Sequence, residues 1–333
     1  MSRTPHPPKL LLPGLDPGRL LANRYVLLDW LGRGGMADVY LGRDIEDGQL
    51  VAVKAMAEEH RDSAPHRLRM SREAEVLRRV QHPNVIRLLD AGESEKGVPF
   101  LILEPLIGET LADYLARRPC MDPTQALPLI MGLADGLEAA HRASVVHGDV
   151  KPHNIYLSGP LDQPSSVKLI DFGLACQLDR DLEQADREFV SGTIAYMSPE
   201  QILAEPVDPR TDVYGFGVVA FLWLTGELPF DAPNDLDLLA HHLVSAAPPP
   251  SWLTSSLSAG WQEVILGALR KDPDRRYPSM RFLRDDLIRI GRGEPVQCPS
   301  TGLAAADRYE PRTERGRRAF ELFSRRAFTT VAA

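Results

Sequence analysis

"SVVHGDVKPHN", Ser144–Asn154, is the stretch on which the reading of this chain turns. An apolar pair, Val145–Val146, runs straight into His147, Gly148, Asp149, Lys151 and Asn154. Seventeen residues after Asn154 a second carboxylate, Asp171, stands in "IDFG".

Working outward, the segments on either side differ in character. From Arg24 to Met56, "RYVLLDWL", "ADVYLGRD" and "QLVAVKAM" are rich in β-branched and aromatic residues, and glycine-bearing turns separate them. A helical pattern follows in "HRLRMSREAEVLRRV", with Glu73, Leu77 and Val80 on one face at i, i+4 and i+7. "VIRLLDAGES" and "VPFLILEPL" predict two more strands. Beyond Thr110 the chain turns helical, interrupted by "NIYL" and "VKLIDF", which predict a small hairpin beside the polar loop. The expected class is α+β, with a β-rich first lobe carrying one main helix and a mostly helical second lobe.

Leu31–Val39 reads "LGRGGMADV". A dinucleotide-binding turn would be followed by a helix, whereas "DVYLGRD" reads as a strand. The stretch therefore predicts a glycine-rich hairpin whose backbone N–H groups approach phosphate oxygens. Lys54 ends "VAVK", and Glu73 is its expected partner; Glu75 points off the apolar face.

These motifs together resemble the protein kinase family, of the serine/threonine type, from about Arg24 to Ile290. "GGMADVYLGRD" and "GTIAYMSPEQ" are most similar to bacterial eukaryotic-like (Hanks-type) kinases. The resemblance implies Asp149 as catalytic base toward a substrate hydroxyl, with Lys151 neutralising charge on the transferring phosphoryl group. It implies Asn154 and Asp171 as metal ligands and Lys54, held by Glu73, on the ATP phosphates. Leu31, Gly32, Arg33, Gly34, Gly35, Met36, Ala37, Asp38 and Val39 would cover the nucleotide. Ala52 would pack on the base with Leu31 and Val39, and Leu103 would stand at the back of the pocket. Backbone groups of Glu104 and Leu106 would hydrogen-bond the base. Implied ligands are ATP and Mg²⁺, with Mn²⁺ as a substitute, and the implied partner is a protein substrate with a serine or threonine acceptor. A regulatory partner or cognate phosphatase is a further expectation.

The sequence departs from the family at two places. Ala37 replaces the third glycine of the phosphate-covering loop. Gly148 replaces the arginine of the H-R-D-x-x-x-x-N pattern. Small-molecule phosphotransferases resemble H-G-D as well, but Lys151, Asp171-Phe172-Gly173 and the segment Ser191–Glu200 favour a protein kinase. An ATP-binding scaffold without turnover is a second rival, countered by the presence of Lys54, Glu73, Asp149, Lys151, Asn154 and Asp171. Gly148 removes the guanidinium that would receive an activation-loop phosphate. Between Phe172 and the expected peptide platform only Ser191 and Thr193 carry hydroxyls. The loop is therefore expected to be competent without phosphorylation, or set by a partner; Asp179, Asp181 and Glu183 are local acidic groups in it, read as a solvated face. Glu200 with Arg276, and Asp212 beneath the catalytic loop, are the expected structural anchors.

The remaining features set boundaries. Residues 1–23 are proline-rich and read as a flexible arm. Residues 24–291 are the expected kinase domain, with lobes at about 24–105 and 106–291, and 292–333 is the expected polar tail. The tail's "TERGRRAFELFSRRAF" interleaves basic residues with phenylalanines, which suits either a partner or membrane surface or, the favoured reading, a solvated terminal helix. A formal net charge of −8, from 38 basic and 46 acidic side chains, argues against a nucleic-acid partner. Cys120, Cys176 and Cys298 have no C-x-x-C spacing and suit a reducing compartment. The N-terminal apolar stretch is broken by Pro13, and Val213–Leu224 falls short of a membrane span, so a cytoplasmic location and a buried core helix are expected.

Overall fold

The computed structural model describes residues 18–177, 194–298, 308–314 and 316–321. The chain divides into two compact units, one of Met1–Arg78 with Arg87–Leu106, the other of Arg79–Ile86 with Ile107–Ala333.

The first unit is an antiparallel six-stranded sheet in the order β1-β2-β3-β4-β6-β5, with helix α1 (Ala64–Arg79). Its strands are β1 (Leu20–Leu21), β2 (Tyr25–Arg33), β3 (Ala37–Asp44), β4 (Leu50–Met56), β5 (Leu88–Glu93) and β6 (Pro99–Leu103). Side chains alternate across a strand, so register decides what shares a face. Tyr40, Val53 and Ile102 lie opposite one another and join Leu21, Tyr25, Leu27, Val51, Ala55 and Phe100 in one apolar cluster. The other face carries Val39 opposite Lys54 opposite Leu101, and Leu41 opposite Ala52 opposite Leu103.

The sheet begins earlier than the expected start at Arg24. Leu20 and Leu21 pair with Val26 and Tyr25, and Leu21 is buried. Ala22 and Asn23 make the turn at φ 50° and 55°, a left-handed conformation that proline-rich composition does not announce. The arm expected over 1–23 is thus shorter by the residues that enter the sheet.

The second unit holds β7 (Gly108–Thr110), α2 (Leu111–Arg117), α3 (Pro123–Arg142), β8 (Val145–Val146), β9 (Ile155–Ser158), β10 (Val167–Leu169) and β11 (Cys176–Gln177). Then come α4 (Pro199–Ile202), α5 (Pro209–Thr225), α6 (Asp235–Val244), α7 (Ala259–Ala268) and α8 (Met280–Arg292). The expected hairpin is β9 paired with β10, joined by β7 on the other edge of β9. Helix α3 starts at an Asp122 cap that accepts the Thr124 N–H at 2.9 Å, with Pro123 at the first position, where its missing N–H costs nothing. Helix α5 is the buried core helix expected from Val213–Leu224. It is capped by Asp208 at 2.8 Å from Arg210 N and closed by Gly226 at φ 81°. Phe216 and Phe221 on α5 are fully buried, each worth about 2 to 3 kcal/mol of withdrawn apolar surface.

Part of the polar tail expected over 292–333 is packed rather than solvated. Tyr309 is 1% exposed, and with Ala319 and Phe320 it packs on Ile194, Ile202, Leu203, Leu239 and Leu243. These contacts are tertiary, so the polar composition of the segment concealed them.

Candidate active site

In the second unit the loop after β8 is shaped by one buried carboxylate. Asp212, in the first turn of α5, accepts the N–H of His147 on Oδ2 and that of Gly148 on Oδ1, each at 2.8 Å. His141 Nε2 lies 2.7 Å from the same Oδ2. Burial alone would push the Asp212 carboxyl up, but the hydrogen bond and charge of His141, then His147 and the Gly148 N–H, hold it below the ordinary aspartate value. Asp212 is thus an anchor of the loop; the helix cap is Asp208.

Gly148 has a conformational reason to be glycine. Its φ is +71°, where an L side chain is strained by roughly 1 to 2 kcal/mol. Space is not the constraint, since an added Cβ would meet Leu174 O at an ordinary 3.5 Å. The Gly148 carbonyl accepts from Gln201 Nε2 at 2.7 Å, so both backbone polar groups of this residue are held by side chains from α4 and α5.

That scaffold places Asp149, which is 6% exposed. Its Oδ2 takes Lys151 Nζ at 2.7 Å and Asn154 Nδ2 at 2.9 Å. Its Oδ1 is buried with no hydrogen-bond partner among the described residues. A buried acceptor left unpaired costs roughly 1 to 3 kcal/mol, so this oxygen could accept a further donor. Asn154 spends its amide nitrogen on Asp149, both side chain and backbone carbonyl, so the amide oxygen is the atom that could hold a metal ion. Asp171 is exposed at φ +62°, a conformation aspartate tolerates better than most residues, and it accepts the Gly173 N–H at 3.3 Å. The neighbouring Phe172 is buried edge-on against the His147 ring, centroids 4.7 Å apart. The available donors on Asn154 and Asp171 are oxygens, which fits Mg²⁺ or Mn²⁺.

In the first unit Lys54 Nζ sits 2.7 and 2.8 Å from the two carboxylate oxygens of Glu73, a buried position on α1. Glu73 rather than Glu75 is therefore the partner. The glycine-rich stretch is a strand–turn–strand as expected: Gly34 N donates to Ala37 O at 2.8 Å, and Met36 is buried beneath the turn. Sequence reading missed the Arg33–Asp38 pair at 2.9 Å, which ties β2 to β3 across this turn. Leu31 is exposed beside Val39, whose register partner is Gly32, while Ala52 and Leu103 are buried on the same sheet face as Val39. Glu104 N–H is spent on Arg87 O at 3.0 Å, and its carboxylate accepts the Arg87 N–H. Leu106 is half-buried.

The Glu200–Arg276 pair is present and buried. All five guanidinium N–H groups have acceptors: both Glu200 oxygens at 2.7 and 2.8 Å, and the carbonyls of Arg270, Lys271 and Arg210. Burial works to raise the Glu200 carboxyl, but the Arg276 charge and hydrogen bonds keep it below its usual value. Roles for His141 and Gln201 were also missed. The only signal was position, one at the end of α3 and one inside "SPEQ". Ser191, Thr193, Asp179, Asp181 and Glu183 lie outside the described residues.

The model of the protein kinase domain matches residues 25–288. The chain is 35% identical over 291 residues to the serine/threonine-protein kinase PknB of Mycobacterium leprae, covering 86% of this chain and 46% of that protein. It is 37% identical over 300 residues to the serine/threonine-protein kinase pkn2 of Myxococcus xanthus, covering 86% and 36%. The kinase domain of PknI from Mycobacterium tuberculosis superposes with a TM-score of 0.62 at 26% identity, covering 83% of this chain and 98% of that one. The chain belongs to the protein kinase family, and more narrowly to its bacterial Hanks-type serine/threonine branch. It spans less than half the length of the curated relatives described. Among the described residues no helix is long and apolar enough to cross a membrane.

Proposed function

We propose that the chain transfers the γ-phosphoryl group of ATP to serine or threonine hydroxyls of proteins, with Gly148 in place of the catalytic-loop arginine. The observation that carries this reading is the Oδ1 of Asp149, which has no hydrogen-bond partner among the described residues and is buried beside an Oδ2 already held by Lys151 and Asn154. A substrate hydroxyl donating to Oδ1 is oriented by it and gives up its proton there as the oxygen attacks phosphorus. Lys151 offsets charge on the transferring group. Lys54, oriented by Glu73, supplies a cation to the ATP phosphates, and backbone N–H groups of the turn other than that of Gly34, which is spent on Ala37 O, cover them. Leu31, Val39 and Ala52 sandwich the base. Because the Glu104 N–H is spent on Arg87, its contact with the base runs through the carbonyl, with the Leu106 backbone as second partner. Bound Mg²⁺, on Asn154 and Asp171, supplies positive charge to the phosphates.

The glycine supports a loop that works without an arginine–phosphate contact. With Asp212 and Gln201 holding both its backbone groups, position 148 shapes the catalytic loop through hydrogen bonds that need no modification. The test is transfer from labelled ATP with Mg²⁺ to a generic basic protein after phosphatase treatment, comparing wild type with Asp149→Asn. Retained turnover in treated wild type, and a loss of roughly 10²- to 10⁴-fold in Asp149→Asn, is the expected result. Turnover that vanishes on phosphatase treatment would refute the phosphate-independent loop, and equal turnover in both chains would refute the role of Asp149.

A further inference from the structure

Glu205, three residues beyond α4, is 5% exposed, and its carboxylate is held by the segment 308–321. Tyr309 Oη donates to Oε2 at 2.5 Å, while Oε1 accepts Arg312 N at 2.8 Å, Thr313 N at 2.7 Å and Thr313 Oγ1 at 3.0 Å. Thr313 Oγ1 in turn accepts Gly316 N at 2.9 Å and so opens the helical turn over 316–321. A Cβ at position 316 would run into the Glu205 carboxylate, so glycine there is what lets the carboxylate approach. Two further attachments complete the latch. Arg312 bridges Asp272 and Asp274 at 3.1 and 2.9 Å, and Tyr309, Ala319 and Phe320 cover Ile194, Ile202, Leu203, Leu239 and Leu243.

Five contacts thus converge on one threonine and its neighbours, in a segment whose hydroxyl is of the type this chain phosphorylates. We propose that Thr313 is a phosphoacceptor whose modification unlatches residues 308–321 from the α4–α6 face. The inference rests on the kinase reading above. In the step, Thr313 Oγ1 forms a bond to the γ-phosphorus of ATP, the bond from that phosphorus to the β-bridging oxygen breaks, and ADP leaves. The hydroxyl proton passes to the Asp149 carboxylate of the enzyme and then to solvent. Acceptor and enzyme are two copies of the chain.

The consequence follows from charge. The hydroxyl that donated to Glu205 is replaced by a phosphate carrying about −1.5 to −2 charge, next to a buried carboxylate. Repulsion and the lost donor together favour the open segment, and the modified threonine cannot return to Glu205 without burying like charges. The open state uncovers Ile202, Leu239 and Leu243.

The experiment has two arms on the full chain. In the first, wild type with Mg²⁺ and ATP is given the Asp149→Asn chain as acceptor, and phosphosites are mapped by mass spectrometry. In the second, phosphothreonine is installed at position 313 during synthesis, and hydrogen exchange of residues 202–205 and 239–243 is followed. Phosphate on Thr313, with exchange in those segments about tenfold faster, is the expected result; Thr313→Ala should show a much smaller gain. The same phosphothreonine in a Glu205→Gln chain should recover most of the protection, because the repelling charge is gone. Label on other hydroxyls but not on Thr313 overturns the proposal, as does unchanged protection with phosphothreonine in place. Equal loss of protection in the Glu205→Gln chain overturns it too. If no hydroxyl anywhere is labelled, the kinase reading fails and self-modification with it, while the second arm still decides the latch on its own.

Discussion

Two ion pairs of similar length lie in different parts of this molecule and do different work. Lys54 and Glu73 meet at 2.7 Å in the first unit, with 13% of the lysine side chain still open. Arg276 and Glu200 meet at 2.7 Å in the second, with exposures of 0% and 3%. Glu200 also takes the Thr211 hydroxyl at 2.9 Å, and the guanidinium has every N–H used. A compact ammonium left partly open can turn toward an incoming phosphate, whereas a planar fork with five satisfied donors is fixed in place. In the proposed reading the first pair serves a ligand, while the second sets a shape.

That contrast can be broken by paired substitutions. Arg276→Met strands a buried carboxylate and should cost roughly 3 to 5 kcal/mol of stability, read from the denaturant midpoint. Lys54→Met also leaves a buried carboxylate, Glu73, but removes two hydrogen bonds where Arg276→Met removes five, so it should cost less, roughly 2 to 3 kcal/mol, yet lower turnover by roughly 10²- to 10³-fold. If Lys54→Met proves as destabilising as Arg276→Met, the division between the pairs is wrong.

Acid should sharpen the same contrast. Glu200 and Asp212 are both held below their ordinary values. Their contribution is therefore complete above the unfolded values of roughly 4.3 and 3.9, and it is lost as pH falls through the lower, folded values. Denaturation curves between pH 7 and pH 3 should show wild type losing stability faster than Arg276→Met below about pH 4.5, since the variant has already lost the Glu200 share. Parallel curves would place the acid sensitivity elsewhere.

The smallest effect is expected at position 148. Gly148→Ala fits the available space and keeps the backbone hydrogen bonds, so it should cost about 1 kcal/mol, from the positive φ alone. Calorimetry reads this as a modest drop in melting temperature, with turnover largely retained. A neutral result would show that the loop relaxes easily and that the glycine has another reason to be there.

What the sequence disclosed follows the distance over which each signal acts. Asp149, Lys151 and Asn154 lie within one loop, and Lys54 and Glu73 within one strand–helix unit, so short local motifs carried the resemblance that implied them; the α+β class followed from alternation giving way to helical periodicity. Glu200 with Arg276 spans 76 residues and was reachable only through resemblance. Glu205 with Tyr309 spans 104 and carried no local pattern, because a single glutamate after a short helix reads as solvated. The strand at Leu20–Leu21 was hidden for a different reason: two residues in left-handed conformation turn the chain where composition suggested an arm. That Oδ1 of Asp149 has no partner among the described residues could not be read at all, since it depends on where Lys151 and Asn154 direct their donors.

Gln201 has a consequence for how this chain tolerates change. Its side-chain amide reaches a carbonyl 53 residues away, and the same residue closes a capping box with Ser198 at the start of α4. A substitution there strips a partner from the Gly148 backbone and loosens the start of the helix in one stroke. In a deep mutational scan, position 201 would score like a residue of the catalytic loop, because its side chain holds that loop's backbone.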